Sequence, residues 1–160
     1  MANVYYLSVK AAKQGELKGE AGRNRGKIPI LGFSYGVLSP RDAATGQATG
    51  KRQHKPVTVY KEWGVISPQL FQALVSNEVL PSVIIDEFRT DSEGKEEVYM
   101  EIRLTNATLA EIEINPERPD DQPLWTGREI EQVSFVFEKI EIENKVSKVI
   151  AMDDWRQAIT

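Results

Sequence analysis

Apolar and polar residues alternate along most of this chain, and the period of two predicts strands rather than helices. Residues 4–9 (VYYLSV) are β-branched and aromatic. Residues 28–37 form the next such stretch, after a polar connection punctuated by Gly15, Gly19, Gly22 and Gly26. Pro29 has no amide proton to give to a ladder, which predicts that this second strand lies at a sheet edge or bends there. Residues 57–60 (VTVY) form a further β-rich run. Residues 83–90 and 96–104 flank Asp91-Ser92-Glu93-Gly94, a turn sequence that predicts an antiparallel hairpin with Gly94 at positive φ.

Further along, Val98, Met100, Ile102, Leu104, Ala110, Ile112 and Ile114 share one parity, whereas Glu101, Arg103, Glu111 and Glu113 share the other. That pattern predicts one buried and one wet face. In the last strand, residues 131–143, Val133, Phe135 and Phe137 point one way while Ile140 and Ile142 have the opposite phase. A bulge or a change of sheet near Glu138 is expected.

The period breaks once in favour of a helix. Ser67 is expected to cap it, Pro68 to occupy its first turn, and Leu70, Phe71, Leu74 and Val75 to form its buried face, with Pro81 as the stop. Two stretches read as exposed loops: residues 39–50, which carry Pro40, two glycines and no large apolar side chain, and residues 115–127, with three prolines and a DDQ segment. Seven or eight strands and one helix at about residues 68–77 predict a mainly β fold. The expected form is a barrel or sandwich of two antiparallel sheets with one flanking helix.

Composition narrows the function classes. With 160 residues and 41% apolar content, a single domain spanning 1–160 can bury a real core without metal or disulfide staples. The chain has no cysteine, which excludes disulfides, zinc–thiolate centres and cysteine nucleophiles. No apolar run approaches the ~20 residues of a membrane span, and the first dozen residues are too polar for a signal-peptide core. A formal charge of −4 gives no general attraction to nucleic acid or anionic lipid.

Chemistry is sparse in the sequence. His54 is the single histidine and reads as a basic surface residue, in a stub with Lys51, Arg52 and Lys55. Residues 46–52 (GQATGKR) imitate a phosphate loop, but the glycines are one residue too close and Arg52 stands where a magnesium-binding hydroxyl belongs. The pairs Glu111/Glu113, Asp120/Asp121, Glu141/Glu143 and Asp153/Asp154 read as solvated positions rather than a glycosidase pair. Trp63, Trp125 and Trp155 read as core or interface residues before they read as a stacking platform. No cofactor or metal is expected, and the stub is as able to pair with the Asp120/Asp121 loop of another copy as with phosphate.

Several strings, taken in order, resemble the haemolysin-coregulated protein (Hcp) family, the tube subunits of bacterial type VI secretion systems. They are Lys18-Gly19-Glu20, Phe33-Ser34-Tyr35-Gly36-Val37, Lys51-Arg52-Gln53-His54-Lys55-Pro56, Ser67-Pro68-Gln69-Leu70, Leu104-Thr105-Asn106-Ala107 and Val133-Ser134-Phe135. The resemblance covers nearly the whole chain. It departs mainly at residues 26–30, where Pro29 stands in a stretch that commonly lacks proline.

The resemblance implies a non-enzymatic structural subunit: a two-sheet barrel with one helix, closing as a homohexameric ring whose rings stack into a hollow tube. It implies spike, sheath and baseplate partners, effector proteins in the lumen, and no nucleic acid or membrane insertion. Assembly is expected in the bacterial cytoplasm, followed by export to the extracellular space or a target cell without a signal peptide. No effector domain is expected after the barrel. Ser39, Pro40, Arg41, Asp42, Thr45, Lys51, Arg52, His54, Asp120 and Asp121 are then the expected subunit or ring contacts. In particular, Lys51 and Arg52 are expected to fix the loop to a neighbour by charge pairing. A phage tail-tube protein and a carbohydrate-binding β-domain are the alternatives.

Overall fold

The computed structural model describes residues 4–19, 27–114 and 129–155. The strands are β1 (Val4–Ala11), β2 (Gly15–Leu17), β3 (Ile28–Ile30), β4 (Gly32–Ser34), β5 (Val37–Leu38), β6 (Gln53–His54) and β7 (Val57–Glu62). After helix α1 (Ser67–Val75) come β8 (Leu80–Thr90), β9 (Glu96–Ile114), β10 (Ile130–Val136), β11 (Lys139–Asn144) and β12 (Val149–Asp154).

The strands build two layers. In the first, β1 carries β2 and β3 on one side and β8 on the other, followed by the first half of β9, then β11 and β12. In the second, the far half of β9 pairs β10, which pairs β7, which pairs β4. A strand of 19 residues is too long for one sheet of this size, and β9 bends from one layer into the other. On the opposite side the chain crosses at Leu31, whose amide donates to the Tyr60 carbonyl at 2.7 Å. The two sheets thus share their corners, and among the described residues no ladder bonds join β4 back to β2 or β3 to close a cylinder. Pro29 sits in β3, which pairs only with β1 among the described residues, so the missing amide falls at a sheet edge as expected.

The expected change of sheet near Glu138 occurs there. β10 ends at Val136 in the second layer, the Glu138 amide donates to the Thr105 carbonyl, and β11 continues in the first layer. The hairpin around Gly94 also forms, with Gly94 at φ 85° and Thr90 opposite Glu96.

Four local expectations are corrected. The parity of β9 does not run unbroken: Asn106 takes φ 50° and turns outward, so that Ala107 and Leu109 follow Leu104 into the core. The ladder to β10 then shifts opposite Ala110, which leaves Ala110 and Ile114 exposed, while Glu101, assigned to the wet face, is buried. Ser67 does not cap α1, because its Oγ accepts from the Gly64 amide and from Lys61 Nζ and donates to Glu131. Nor does Pro81 stop the helix: α1 ends at Val75, Asn77 reverses the chain at φ 53°, and Pro81 already belongs to β8. Finally, the helix buries Leu70 and Ala73 against β9, with Leu74 half-buried, but Phe71 (59% exposed) and Val75 (58% exposed) face out.

Leu7, Val57, Val59, Val83, Leu104 and Phe135 meet between the layers with essentially no exposed surface, each contributing about 1.5–3 kcal/mol by leaving water. Beside them lies a buried charge pair. Lys61 Nζ donates to Glu131 Oε1 (2.9 Å), Ser67 Oγ (3.2 Å) and the Glu62 carbonyl (3.0 Å), so its three protons meet three acceptors. This group ties β7, β10 and the start of α1 together.

Candidate functional site

Residues 36–55 form a ribbon that stands away from the layers. Its lower rungs are β5 against β6, with Val37 opposite His54 and Leu38 opposite Gln53, and the Lys55 amide donating to the Gly36 carbonyl at 2.8 Å. Above them the Thr49 amide bonds the Pro40 carbonyl, and Arg41 bridges Ala48. The tip is turned by Asp42, whose Oδ1 accepts the amides of Ala44 (2.7 Å) and Thr45 (3.2 Å), while Gly46 at φ 75° returns its own amide to the Asp42 carbonyl. Thr45 Oγ1 accepts from the Gln47 amide. Every residue from 41 to 50 is exposed, so this ribbon holds its shape by backbone bonds and offers its side chains outward.

The root of the ribbon is anchored to the end of the chain. Arg52 Nε and Nη2 reach the two oxygens of Asp153 at 2.6 and 2.7 Å, and Nη2 also bonds the Asp154 carbonyl. His54 Nε2 meets the same Asp153 carboxylate at 2.6 Å, and its Nδ1 lies 2.6 Å from the Tyr35 hydroxyl. An ionised carboxylate only accepts, so Nε2 carries a proton, and in the neutral ring Nδ1 accepts from the Tyr35 hydroxyl. Phe137 and Trp155 pack their rings on His54 at 5.3 and 5.0 Å between centroids. Asp153 is held below the ordinary carboxylate range, chiefly by the Arg52 hydrogen bond and further by His54, against the opposing effect of burial. The Arg52 guanidinium is raised by the same bond, and the Tyr35 phenol is raised by burial and by the Asp153 charge.

The structure therefore corrects the reading of His54 as a surface residue, since its side chain is only 3% exposed. It also places Arg52 on Asp153 of its own chain. Ser39, Arg41, Asp42, Thr45 and Lys51 stand exposed on the ribbon with Pro40 half-exposed among them, whereas Asp120, Asp121 and the whole 115–127 loop lie outside the described residues, as does Trp125. Glu141 and Glu143 are neutralised by Lys139 and Lys145 rather than paired across a cleft. A recess of about 380 Å³ between residues 28–31 and 61–66 is lined, among the described residues, by two ionisable side chains, Lys61 and Glu62, and the first is already engaged by Glu131. Tyr35, Phe137 and Trp155 were not marked as parts of this site by the sequence, because their partners lie up to about a hundred positions away and no local pattern signals such a meeting.

Residues 6–143 match the family described as "Type VI secretion system effector, Hcp". This chain belongs to the Hcp family. The "Major exported protein" of Pseudomonas aeruginosa is 32% identical to it over 170 residues, with 99% of each chain covered. Among solved structures, "Crystal structure of Hcp protein" is 26% identical with a TM-score of 0.84, covering 98% of this chain and all of that one. The secreted protein Hcp3 from Pseudomonas aeruginosa is 27% identical with a TM-score of 0.78 over the same shares. The sequence resemblance was thus sound, and so was the mainly β, two-sheet, one-helix architecture it implied. As an Hcp protein the chain is an exported tube subunit of the type VI system, built to associate with copies of itself. The family is a structural one.

Proposed function

We propose that six copies of this chain, each a single domain, close a ring, and that rings stack through the 36–55 ribbon into a hollow conduit. Spike, sheath and baseplate proteins meet the stack from outside and effector proteins occupy its lumen. The subunit assembles in the bacterial cytoplasm and leaves it with the tube. The chain then works by fitting to its copies and by letting cargo pass; it turns over no substrate.

The ribbon carries this reading: ten successive exposed residues held rigid by their own backbone bonds present a preformed contact to a neighbouring subunit or ring. Within it Ser39, Pro40, Arg41, Asp42, Thr45 and Lys51 are the contact residues, with Asp120 and Asp121 as acidic counterparts on another copy. Arg52 and His54 take part indirectly, through their own chain's Asp153. Ring closure is supported by unpaired margins, since β12 pairs only with β11 and β4 only with β7 among the described residues, and copies of the chain can cover such edges.

Deleting residues 43–49 tests the reading. The variant should keep its folded layers by circular dichroism and its ring by native mass spectrometry, but form no stacked tubes under the electron microscope. Tubes of ordinary length from the deletion variant refute the ribbon's role.

A further inference from the structure

The ribbon poses a mechanical problem. A two-stranded ribbon with about eight residues per side is roughly 25 Å long, so a rotation of about 10° at its root moves the tip by roughly 4–5 Å. Its upper part, residues 41–50, is exposed along its whole length. Direction has to be fixed at the root, and the root is where one carboxylate gathers two ribbon residues. Asp153 of β12 takes both Arg52 and His54, Tyr35 holds the other ring nitrogen of His54, and Trp155 lies against the imidazole. Arg52 is held a third time by the Asp154 carbonyl.

We propose that the cluster of Tyr35, Arg52, His54 and Asp153 is a clamp by which the C-terminal strand aims the ribbon, and that this aim sets whether rings stack. The proposal rests on the ribbon being a stacking contact. Tyr35, Arg52, His54 and Asp153 are positioning residues: they act through the orientation of Arg41, Asp42 and Thr45 at the tip. The geometry favours this over a purely stabilising role. Ribbon and β12 meet through planar, directional groups, a bidentate guanidinium–carboxylate pair and an imidazole bonded at both nitrogens, which fix an angle as well as a distance.

The test uses the full chain with Asp153→Asn. Amide exchange at Lys55, which bonds the Gly36 carbonyl at the root, should rise about tenfold or more. Exchange at Asp42 and Gly46, closed within the tip, should stay unchanged. Rings should persist by native mass spectrometry while stacked tubes shorten or vanish. Should Asp153→Asn fail to fold, Tyr35→Phe removes a single hydroxyl from the clamp and is read the same way. Unchanged exchange at Lys55 overturns the clamp. Raised exchange with tubes of normal length overturns its role in stacking, and the 43–49 deletion then locates the fault. Tubes lost on deletion mean that the ribbon stacks without being aimed by the clamp; tubes surviving deletion mean that the stacking role of the ribbon itself was wrong.

Discussion

Asp153 and Glu78 are carboxylates that the fold keeps charged. Glu78 is buried and accepts the amides of Gln14 (3.0 Å) and Lys13 (2.9 Å), and these bonds, Gln14 first, hold its pKa below the ordinary carboxylate range against the effect of burial. Both groups have lower pKa values folded than unfolded, so the unfolded chain binds more protons as pH falls. Their contribution to stability is complete above the ordinary carboxylate range and disappears as pH drops through the lowered folded values. Thermal unfolding followed from pH ~7 to ~3 should therefore show a falling Tm, and Glu78→Gln should flatten that fall while lowering stability at neutral pH by about 1–3 kcal/mol. Lys61 and Glu131 make a sharper case because neither has access to water. Lys61→Met should cost about 3–5 kcal/mol in urea unfolding by leaving Glu131 unpaired, and adding Glu131→Met should recover most of the loss. Neither pair was legible in the sequence. Lys61 sits at an inward position of β7 where alternation alone predicts an apolar residue, and its partner lies 70 positions away. His54 was misread for the same reason: a run of cations looks solvated until a distant carboxylate is folded onto it.

At the level of strands and the helix, period was legible and its interruptions were not. The hairpin at Gly94 and the sheet change at Glu138 could be read because a turn sequence or a phase shift marks them locally. The turn at Asn106 could not, since asparagine at φ 50° looks like any polar residue on the outer face of a strand. Yet it reverses which side of β9 is buried, and its side-chain amide also donates to Glu138 Oε2 at 2.8 Å, beside the point where the chain changes layer. Asn106→Val should cost about 1–3 kcal/mol, because a β-branched residue cannot adopt that backbone cheaply, whereas Asn106→Gly should cost less than about 1 kcal/mol. Thermal denaturation of the two variants decides it, and equal losses would place the value of Asn106 in its side-chain bond. β12 escaped the sequence reading because Val149, Ile150, Ala151 and Met152 run apolar without alternation after a turn set by Asn144 and by Lys148 at φ 60°. The helix was placed well and rotated wrongly. Leu70 and Ala73 select the buried stripe, and Phe71 and Val75 are too far round the helix to join it.

For the molecule as a whole, the residues left outside the core matter most. Phe71 and Val75 on the helix, and Val149, Ile150 and Met152 on an edge strand, are apolar side chains about half or more exposed in a chain whose family associates with itself. Electrostatics opposes that association, since six copies at −4 each carry −24. Much of the charge on the outer face of the first sheet is already cancelled within the chain, where Arg103 and Lys145 pair with Glu101, and Lys139 pairs with Glu141. With a net charge of the same sign on every copy, the long-range term between copies is repulsive. Salt at ~1 M shortens the screening length to about 3 Å and removes that repulsion while leaving apolar contacts intact or strengthened. Raising salt from ~0.1 to ~1 M should therefore leave rings whole, or shift a dilute sample toward rings, in sedimentation velocity. A ring that falls to single subunits on this titration would be held by intersubunit ion pairs, and the exposed apolar surfaces of α1 and β12 would then not be what closes it.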